Sequence, residues 1–220
     1  ININTPFCKN KIEISEVANC IKGKTFIAGR IEEELYQKFS ETKVIDLLKR
    51  EELTVLNTIS TAEGAIQIAM EESTKTLHGS KILVMGFGRV SKILSNMLKG
   101  IGAEVYCETR TTVNCAWIKA YGYKPILLDE LDNELGEFDI IINTIPHIIL
   151  NEEKLKLLKR DCIIIDIASN PGGVDRKAAK EIGIKLIWAL SLPGRVAPIT
   201  SAEFIKETLE NILKDIKNNS

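Results

Sequence analysis

Gly86 and Gly88 follow an apolar run that begins at Lys81 and precede a segment with helical periodicity. A glycine turn between a strand and a helix can hold a dinucleotide pyrophosphate, because the first glycine permits the tight turn and the second lets the backbone approach the phosphates. A helix over 89–99 would direct its unpaired N–H groups and positive dipole end at the same phosphates. Ser91 stands at the third glycine position of the fingerprint and is small enough for close helix–strand packing. The expected cofactor contacts here are Gly86, Phe87, Gly88, Arg89 and Val90.

The second strand predicts which dinucleotide is bound. In NAD sites the tip of this strand carries an acid that accepts hydrogen bonds from the ribose hydroxyls. In the strand predicted over 104–112 the tip is Thr109, followed by Arg110. A guanidinium and hydroxyls would bind a 2′-phosphate, which a carboxylate would repel. The sequence therefore favours NADP, with NAD as the alternative, and the expected contacts are Thr109, Arg110, Thr111 and Thr112. An exposed arginine without a ligand remains the other interpretation of Arg110.

Glu108 is a second candidate for the ribose acid. A count of about 20 residues from the glycine turn reaches it. Strand alternation, however, places its side chain on the opposite face from Thr109. We therefore interpret Glu108 as a packing or salt-bridge residue.

From residue 81 onward, predicted strands and helices alternate, which is typical of a parallel sheet with helices on both faces. The predicted strands are 81–85, 104–112, 124–128, 138–143, 161–167 and 184–188. The predicted helices are 89–99, 113–121, 152–159, 175–182 and 201–216. The fold class is α/β: a doubly wound parallel sheet of Rossmann type with a partial N-terminal α/β domain.

The N-terminal region has a sparser pattern of predicted elements. Short strands are expected at 25–28 and 53–56, and helices at 31–39 and 45–50. Since these elements are sparse and the first residue is Ile1, we expect a natural N-terminal portion to be absent. The expected organisation is a partial substrate-side domain (1–60), a connecting helix (61–80), a dinucleotide-binding domain (81–200) and a C-terminal helix that packs back (201–220).

Composition excludes several classes of function. The chain has 220 residues, 29 basic and 30 acidic, for a net charge of -1, so we expect no binding to nucleic acid or an anionic membrane. The longest apolar run, 140–150, is too short to span a bilayer. Without a signal peptide in this sequence, we expect a cytoplasmic protein. The 5 cysteines are scattered, which predicts reduced thiols, no disulfide framework and no bound metal.

In an open parallel sheet, ligands bind outside the carboxyl ends of the strands. The segments 143–147, 168–175 and 189–198 follow the last three predicted strands, and we expect them to converge near the nicotinamide. The further cofactor contacts expected there are Asn143, Thr144, Ile145, Pro146 and Ala168. A lone histidine in an apolar run is more often packed than catalytic, so His147 is a weaker acid–base candidate.

Five motifs resemble the family of dipicolinate synthase A chains, in order and spacing, over residues 24 to 213. They are NTISTAEGAI (57–66), GFGRV (86–90), NTIP (143–146), DIASNPGGVD (166–175) and LPGRVAP (192–198). Three departures are present. The family has a longer N-terminal domain, Ser91 stands where glycine is frequent, and Asn170 stands where lysine is usual.

The resemblance implies oxidation of dihydrodipicolinate, a small dicarboxylate, to pyridine-2,6-dicarboxylate with NADP in the mother cell of a spore-forming bacterium. It also implies, as partner, the flavoprotein-like second component of the synthase, and we expect a homo-oligomer. A dianionic substrate needs cationic and hydroxyl donors around the cleft. The substrate candidates are Thr61, Arg195 and Thr200, and the catalytic candidates are Glu63 and Ser169.

Two of these assignments have alternatives. Arg195 could be an ordinary surface arginine in a Pro-Gly loop. Glu63 could be the proton acceptor or a cap at the start of the connecting helix. Two other functions also remain open: another NADP-linked reductase of shikimate-dehydrogenase type, which the Thr-Arg-Thr tip resembles, or a non-catalytic cofactor-binding scaffold for a partner protein.

Overall fold

The computed structural model describes residues 14–31, 33–39 and 41–218. The chain divides into two compact units. The smaller unit comprises the described residues up to Thr54 together with those from Ala202 onward, and the larger unit runs from Val55 to Ser201.

The smaller unit begins with two short parallel strands and their helices. Its elements are α1 (Ile14–Ile21), β1 (Thr25–Ala28), α2 (Glu33–Lys38), β2 (Lys43–Asp46), a 3-10 turn (Leu47–Lys49) and the start of α3 (Glu51–Glu72). The two strands pair in parallel. At the end of β2 the buried carboxylate of Asp46 accepts the backbone N–H groups of Arg30, Ile31 and Leu48.

Two predictions for this region are wrong. The segment 53–56, expected as a strand, lies inside α3, and 45–50, expected as a helix, contains the end of β2 and the 3-10 turn. A four-residue apolar run does not by itself distinguish a strand from a buried helix. Here Glu51 and Glu52 supply the negative charge that stabilises a helix start, and Asp46 caps the 3-10 turn through its contact with Leu48.

The larger unit contains the six predicted strands. They are β3 (Lys81–Met85), β4 (Glu104–Thr109), β5 (Lys124–Leu127), β6 (Ile140–Asn143), β7 (Ile163–Asp166) and β8 (Lys185–Trp188). The intervening helices are α4 (Arg89–Ile101), α5 (Thr112–Ala120), α6 (Glu152–Leu155), α7 (Arg176–Ile182) and α8 (Leu192–Val196), and α9 (Pro198–Asn218) ends the described chain. The strands are parallel in the order β5-β4-β3-β6-β7-β8, which confirms the doubly wound sheet. The strand order reverses beside β3, where Met85 pairs with Asn143, so a crevice opens there.

The core forms two layers, one on each face of the sheet. In β3, Ile82 and Val84 belong to one apolar cluster, and Leu83 and Met85 belong to the other. This alternation follows from the two-residue period of a strand. Because helices cover both faces, the strand reads as a continuous apolar run.

Other element boundaries differ from the predictions. The connecting helix expected over 61–80 is α3, which begins ten residues earlier at Glu51 and ends at Glu72. The helix expected over 152–159 ends at Leu155, because Leu157 and Leu158 donate to carbonyls three residues back and tighten the chain into a turn. The short helix α8 was not predicted. Among the described residues no helix is long and apolar enough to cross a membrane.

Candidate functional site

A cleft of about 290 Å³ opens at the carboxyl edge of the sheet, beside β3, β4 and β6. It is lined by Gly86, Phe87, Gly88, Glu108, Thr109, Arg110, Thr111, Asn114, Thr144, Ile145 and Pro146. The structure therefore brings together residues from the three segments that the sequence selected as cofactor contacts: the glycine turn, the tip of the second strand and the loop after the fourth. Glu108 and Asn114 line the cleft as well, although they were not expected to.

The two glycines of the turn have different reasons to be glycine. Gly86 has a φ of +90°, and a Cβ there would lie 2.9 Å from Oγ1 of Thr144, so both the backbone and the packing exclude a side chain. A Cβ on Gly88 would meet no atom of the other described residues within 4 Å, apart from its chain neighbours. Gly88 is also the N-cap of α4 and has no side chain that could accept a hydrogen bond from the start of the helix, a position at which the helix dipole favours an anion.

A chain of hydroxyl groups joins the glycine turn to the loop after β6. Oγ1 of Thr144 donates to the carbonyl of Met85 over 2.8 Å, so its remaining contact, 2.9 Å from Oγ of Ser91, is one in which the serine donates. Ser91 is fully buried. The serine at the third fingerprint position therefore keeps the close packing of α4 and adds a hydrogen bond that glycine could not make.

The tip of β4 presents neutral oxygens and one cation. Oγ1 of the buried Thr109 accepts hydrogen bonds from the Thr111 N–H at 3.4 Å and from Nδ2 of Asn114 at 3.1 Å. Thr111 caps α5 by accepting the Asn114 N–H over 3.2 Å. The exposed Arg110 makes no hydrogen bond or ion pair with any residue that the structure describes. Its guanidinium is therefore available to an anionic ligand.

Glu108, which the sequence analysis interpreted as a packing or salt-bridge residue, is packed in the interior and makes no salt bridge with a described residue, but it also lines the cleft. Glu108 is fully buried, and its Oε2 accepts the Gly86 N–H over 3.1 Å. Glu108 pairs with Met85 at the last position where β3 and β4 are in register. From there its side chain reaches Gly86, the residue after Met85. Burial raises the pKa of this carboxyl, while the Gly86 hydrogen bond and the charge of Arg110 act in the opposite direction.

Asn143 and Asp166 form a buried polar pair beneath the loops. Nδ2 of Asn143 donates to Oδ1 of Asp166 over 2.8 Å and to the Ile145 carbonyl over 3.0 Å. Asp166 also accepts the N–H groups of Ala168 at 3.1 Å and Gly173 at 2.8 Å. Asn143 and Ala168, expected as cofactor contacts, thus support the loops and are not part of the cleft wall. Sequence reasoning missed Asp166, although a carboxylate at the end of an apolar strand was a usable signal.

The other predicted cofactor contacts lie at helix starts. Arg89 and Val90 open α4, and Thr112 opens α5, without joining the cleft wall. Among the described residues no group of three or more His, Cys, Asp or Glu side chains could hold a metal ion.

The candidate substrate residues occupy two regions of the larger unit. Thr61 and Glu63 lie within α3, where a Cβ on Gly64 would be 3.2 Å from Leu192 and Val196, so α3 packs closely against α8. That helix also carries the exposed Arg195. The Thr61 hydroxyl donates to the carbonyl of Asn57 over 2.7 Å. Glu63 is exposed in the middle of α3, so the alternative that it caps the start of a helix is wrong.

The remaining two candidates follow the last strands of the sheet in the chain. Ser169 is exposed in the turn after β7, and Thr200 lies in the first turn of α9. The His147 side chain is exposed just beyond Pro146.

The features of the cleft fit a dinucleotide: open space at Gly88, a helix start without a side-chain cap, donors at the tip of β4 and a buried carboxyl oxygen of Glu108 that has no partner among the described residues. Fold and cleft together define a Rossmann-type nicotinamide-dinucleotide-binding domain. Residues 50–180 match the family model described as D-isomer specific 2-hydroxyacid dehydrogenase, NAD binding domain. The chain therefore belongs to this family of NAD binding domains.

More particularly, the chain belongs to the family of dipicolinate synthase A chains. It is 36% identical over 178 residues to the dipicolinate synthase A chain of Bacillus subtilis (strain 168), covering 81% of this chain and 60% of that protein. The crystal structure of the B. subtilis dipicolinate synthase A chain superposes with a TM-score of 0.91 at 31% identity, covering 98% of this chain and 74% of that one. The corresponding dipicolinate synthase structure from Bacillus halodurans has a TM-score of 0.89 at 29% identity, covering 96% and 74%.

Proposed function

We propose that this chain uses NADP to oxidise dihydrodipicolinate to dipicolinate (pyridine-2,6-dicarboxylate). In the balanced reaction the substrate loses a hydride and a proton, and the products are dipicolinate, NADPH and a proton. Membership in the family of dipicolinate synthase A chains supports the substrate. Because the chain spans 60% of the B. subtilis relative, the activity of the whole protein is part of the proposal.

The single observation that carries the choice of NADP is the tip of β4. The position of the expected ribose acid is Thr109, a neutral residue, and the next residue is an exposed arginine without a hydrogen-bond partner among the described residues. A guanidinium beside hydroxyls suits a phosphate monoester, because it offers charge-assisted hydrogen bonds. NAD lacks this phosphate and would leave Arg110 unused.

The chain's own residues must position the substrate and remove its proton. NADP, when bound, accepts the hydride. Arg195 is assigned to a substrate carboxylate, with Thr61, Thr200 and Ser169 as hydroxyl groups around it. Glu63 is assigned as the proton acceptor, since it is exposed on the helix that packs against α8. Gain of aromaticity supplies much of the driving force, so orientation of the two partners is the main task of the protein.

Two further assignments belong to the proposal. The flavoprotein-like second component of the synthase is the expected partner, and a homo-oligomer is the expected assembly. The first is supported by the B. subtilis relative, whose name marks it as one of the subunits of a synthase.

The test is to follow NADPH absorbance with freshly prepared dihydrodipicolinate, with and without the flavoprotein-like component. Arg110→Ala should raise the Kd of NADP by about tenfold or more, because a charge-assisted contact is lost. The Kd of NAD should not change. Arg160→Ala is the matched control. Arg160 is also exposed, but it precedes β7 and lies at the amino ends of the strands, away from the cleft at their carboxyl ends. Turnover of shikimate in place of dihydrodipicolinate would identify another reductase, and tight NADP binding without any turnover would indicate a scaffold.

A further inference from the structure

Glu108 places a buried carboxyl oxygen at the wall of the dinucleotide cleft. Its Oε2 accepts the Gly86 N–H, whereas Oε1 has no hydrogen bond within the described part of the chain. A buried polar atom without a partner costs free energy. A ligand in the cleft that bonds to Oε1 would recover that cost.

The surroundings of Glu108 are nearly all uncharged. Its neighbours in register on the flanking strands are Met85 and Ile126, and the loop after β6 and the start of α5 line the cleft with uncharged residues. Arg110 is the one other charged residue among those lining the cleft. Burial raises the pKa of Glu108 more strongly than the Gly86 hydrogen bond and Arg110 lower it. The carboxyl therefore holds its proton to a higher pH than an ordinary glutamate does.

We propose that Glu108 selects between the two dinucleotides by its state of protonation. When neutral, it donates Oε1–H to the phosphorylated ribose of NADP. When ionised, the same oxygen accepts a hydrogen bond from a ribose hydroxyl of NAD and repels the 2′-phosphate. This inference rests on the proposed NADP site and adds a second specificity element beside Arg110.

The sign of the pH dependence separates Glu108 from the ligand's own titration. The 2′-phosphate ionises at about pH 6, and its dianion binds a guanidinium more tightly, so this effect alone strengthens NADP binding as the pH rises. Loss of the Glu108 proton acts the other way. Above the pKa of Glu108, NADP binding should therefore weaken with pH. NAD, which has no 2′-phosphate, should bind more tightly as the pH rises towards that pKa and then level off.

The experiment measures the Kd of NADP and NAD from about pH 6 to about pH 9 for the wild type and Glu108→Gln. Glutamine keeps an acceptor for Gly86 and an N–H donor for the cleft, so it imitates the neutral acid. In the wild type, above the pKa of Glu108, we expect the Kd of NADP to rise with pH. The rise is at most about tenfold per pH unit, the limit reached when NADP binds only the protonated carboxyl. In Glu108→Gln this rise should be absent, and NADP should bind more tightly than in the wild type at the alkaline end.

His147→Asn is the control for the exposed imidazole beyond Pro146, and its Kd values should follow the same pH profile as those of the wild type.

Calorimetry in two buffers of different ionisation enthalpy gives a second readout. At alkaline pH the wild type should take up a proton when it binds NADP but not when it binds NAD. Equal profiles in the wild type and Glu108→Gln, with no proton uptake, would overturn the inference and leave the NADP site intact. Absence of any dinucleotide binding would overturn both.

Discussion

The side-chain amide of Asn143 donates to the carboxylate of Asp166 over 2.8 Å, between the last residues of two adjacent strands. Both side chains are buried, with 0% and 2% of their surface exposed. This contact joins the loop that lines the cofactor cleft to the loop that carries Ser169. The relative position of these two loops therefore depends on a polar pair that does not line the cleft.

Asp166→Ala should destabilise the fold by about 2–4 kcal/mol, because it leaves Asn143 and the N–H groups of Ala168 and Gly173 without their acceptor. Asp166→Asn should lower the stability by less, since its single amide oxygen can still accept hydrogen bonds from some of these donors. Urea denaturation measures both. Asp129→Ala is the control, because Asp129 lies outside the polar pair and its loops. Equal midpoints for Asp166→Ala and Asp129→Ala would contradict the role of the pair.

Gly86→Ala and Gly88→Ala should affect different properties: the first should lower the stability of the fold, and the second should weaken NADP binding. At Gly86 the positive φ and the contact with Thr144 predict a loss of about 1–3 kcal/mol of stability. At Gly88 the added methyl would lie more than 4 Å from every described residue other than its chain neighbours, so stability should change by less than about 0.5 kcal/mol. The same methyl would occupy the approach of the phosphates, and the Kd of NADP should rise. Thermal denaturation and a binding titration distinguish the two. Unchanged binding in Gly88→Ala would mean that phosphates do not approach this turn.

Thr109→Asp should shift preference from NADP towards NAD. A carboxylate can still accept from Thr111 and Asn114, as the threonine oxygen does, but it would repel a 2′-phosphate and accept from ribose hydroxyls. We expect the ratio of the two Kd values to change by about tenfold or more. Thr109→Asn is the neutral control of similar shape. If the aspartate and asparagine variants show the same ratio, the charge at this position does not select the cofactor.

Glu108 should make stability fall as the pH rises. Its pKa is raised in the folded state, so its contribution is fully present below its unfolded pKa of about 4.3. It is lost as the pH increases through the folded value. Glu108→Gln should therefore be more stable than the wild type at alkaline pH, and this difference should shrink in mild acid. Thermal melting across this range measures it. A difference that grows towards acid pH would show that the carboxyl is stabilised in its ionised form.

The strand–turn–helix containing Gly86 and Gly88 was predictable because each step has a local cause. Buried parallel strands read as apolar runs, glycine permits the tight turn, and the helix start needs no partner from elsewhere in the chain. The Thr109-Arg110-Thr111 tip followed from counting along the second strand. By contrast, the prediction of a strand at 53–56 was wrong, because four apolar residues suit a helix and a strand equally well.

The sequence alone determined the order of the six strands along the chain, the glycine turn and the residue types offered to a dinucleotide, since these depend on local periodicity and on parallel topology. Only the tertiary structure decided what each polar side chain contacts. It turned Glu108 beneath the glycine turn and Asn143 away from the cleft wall towards Asp166, and it added Asn114 to the site. The physical reason is that a buried polar group takes whichever partner the fold brings within hydrogen-bonding distance. Those partners are 22 and 23 positions away along the chain, where sequence periodicity carries no information.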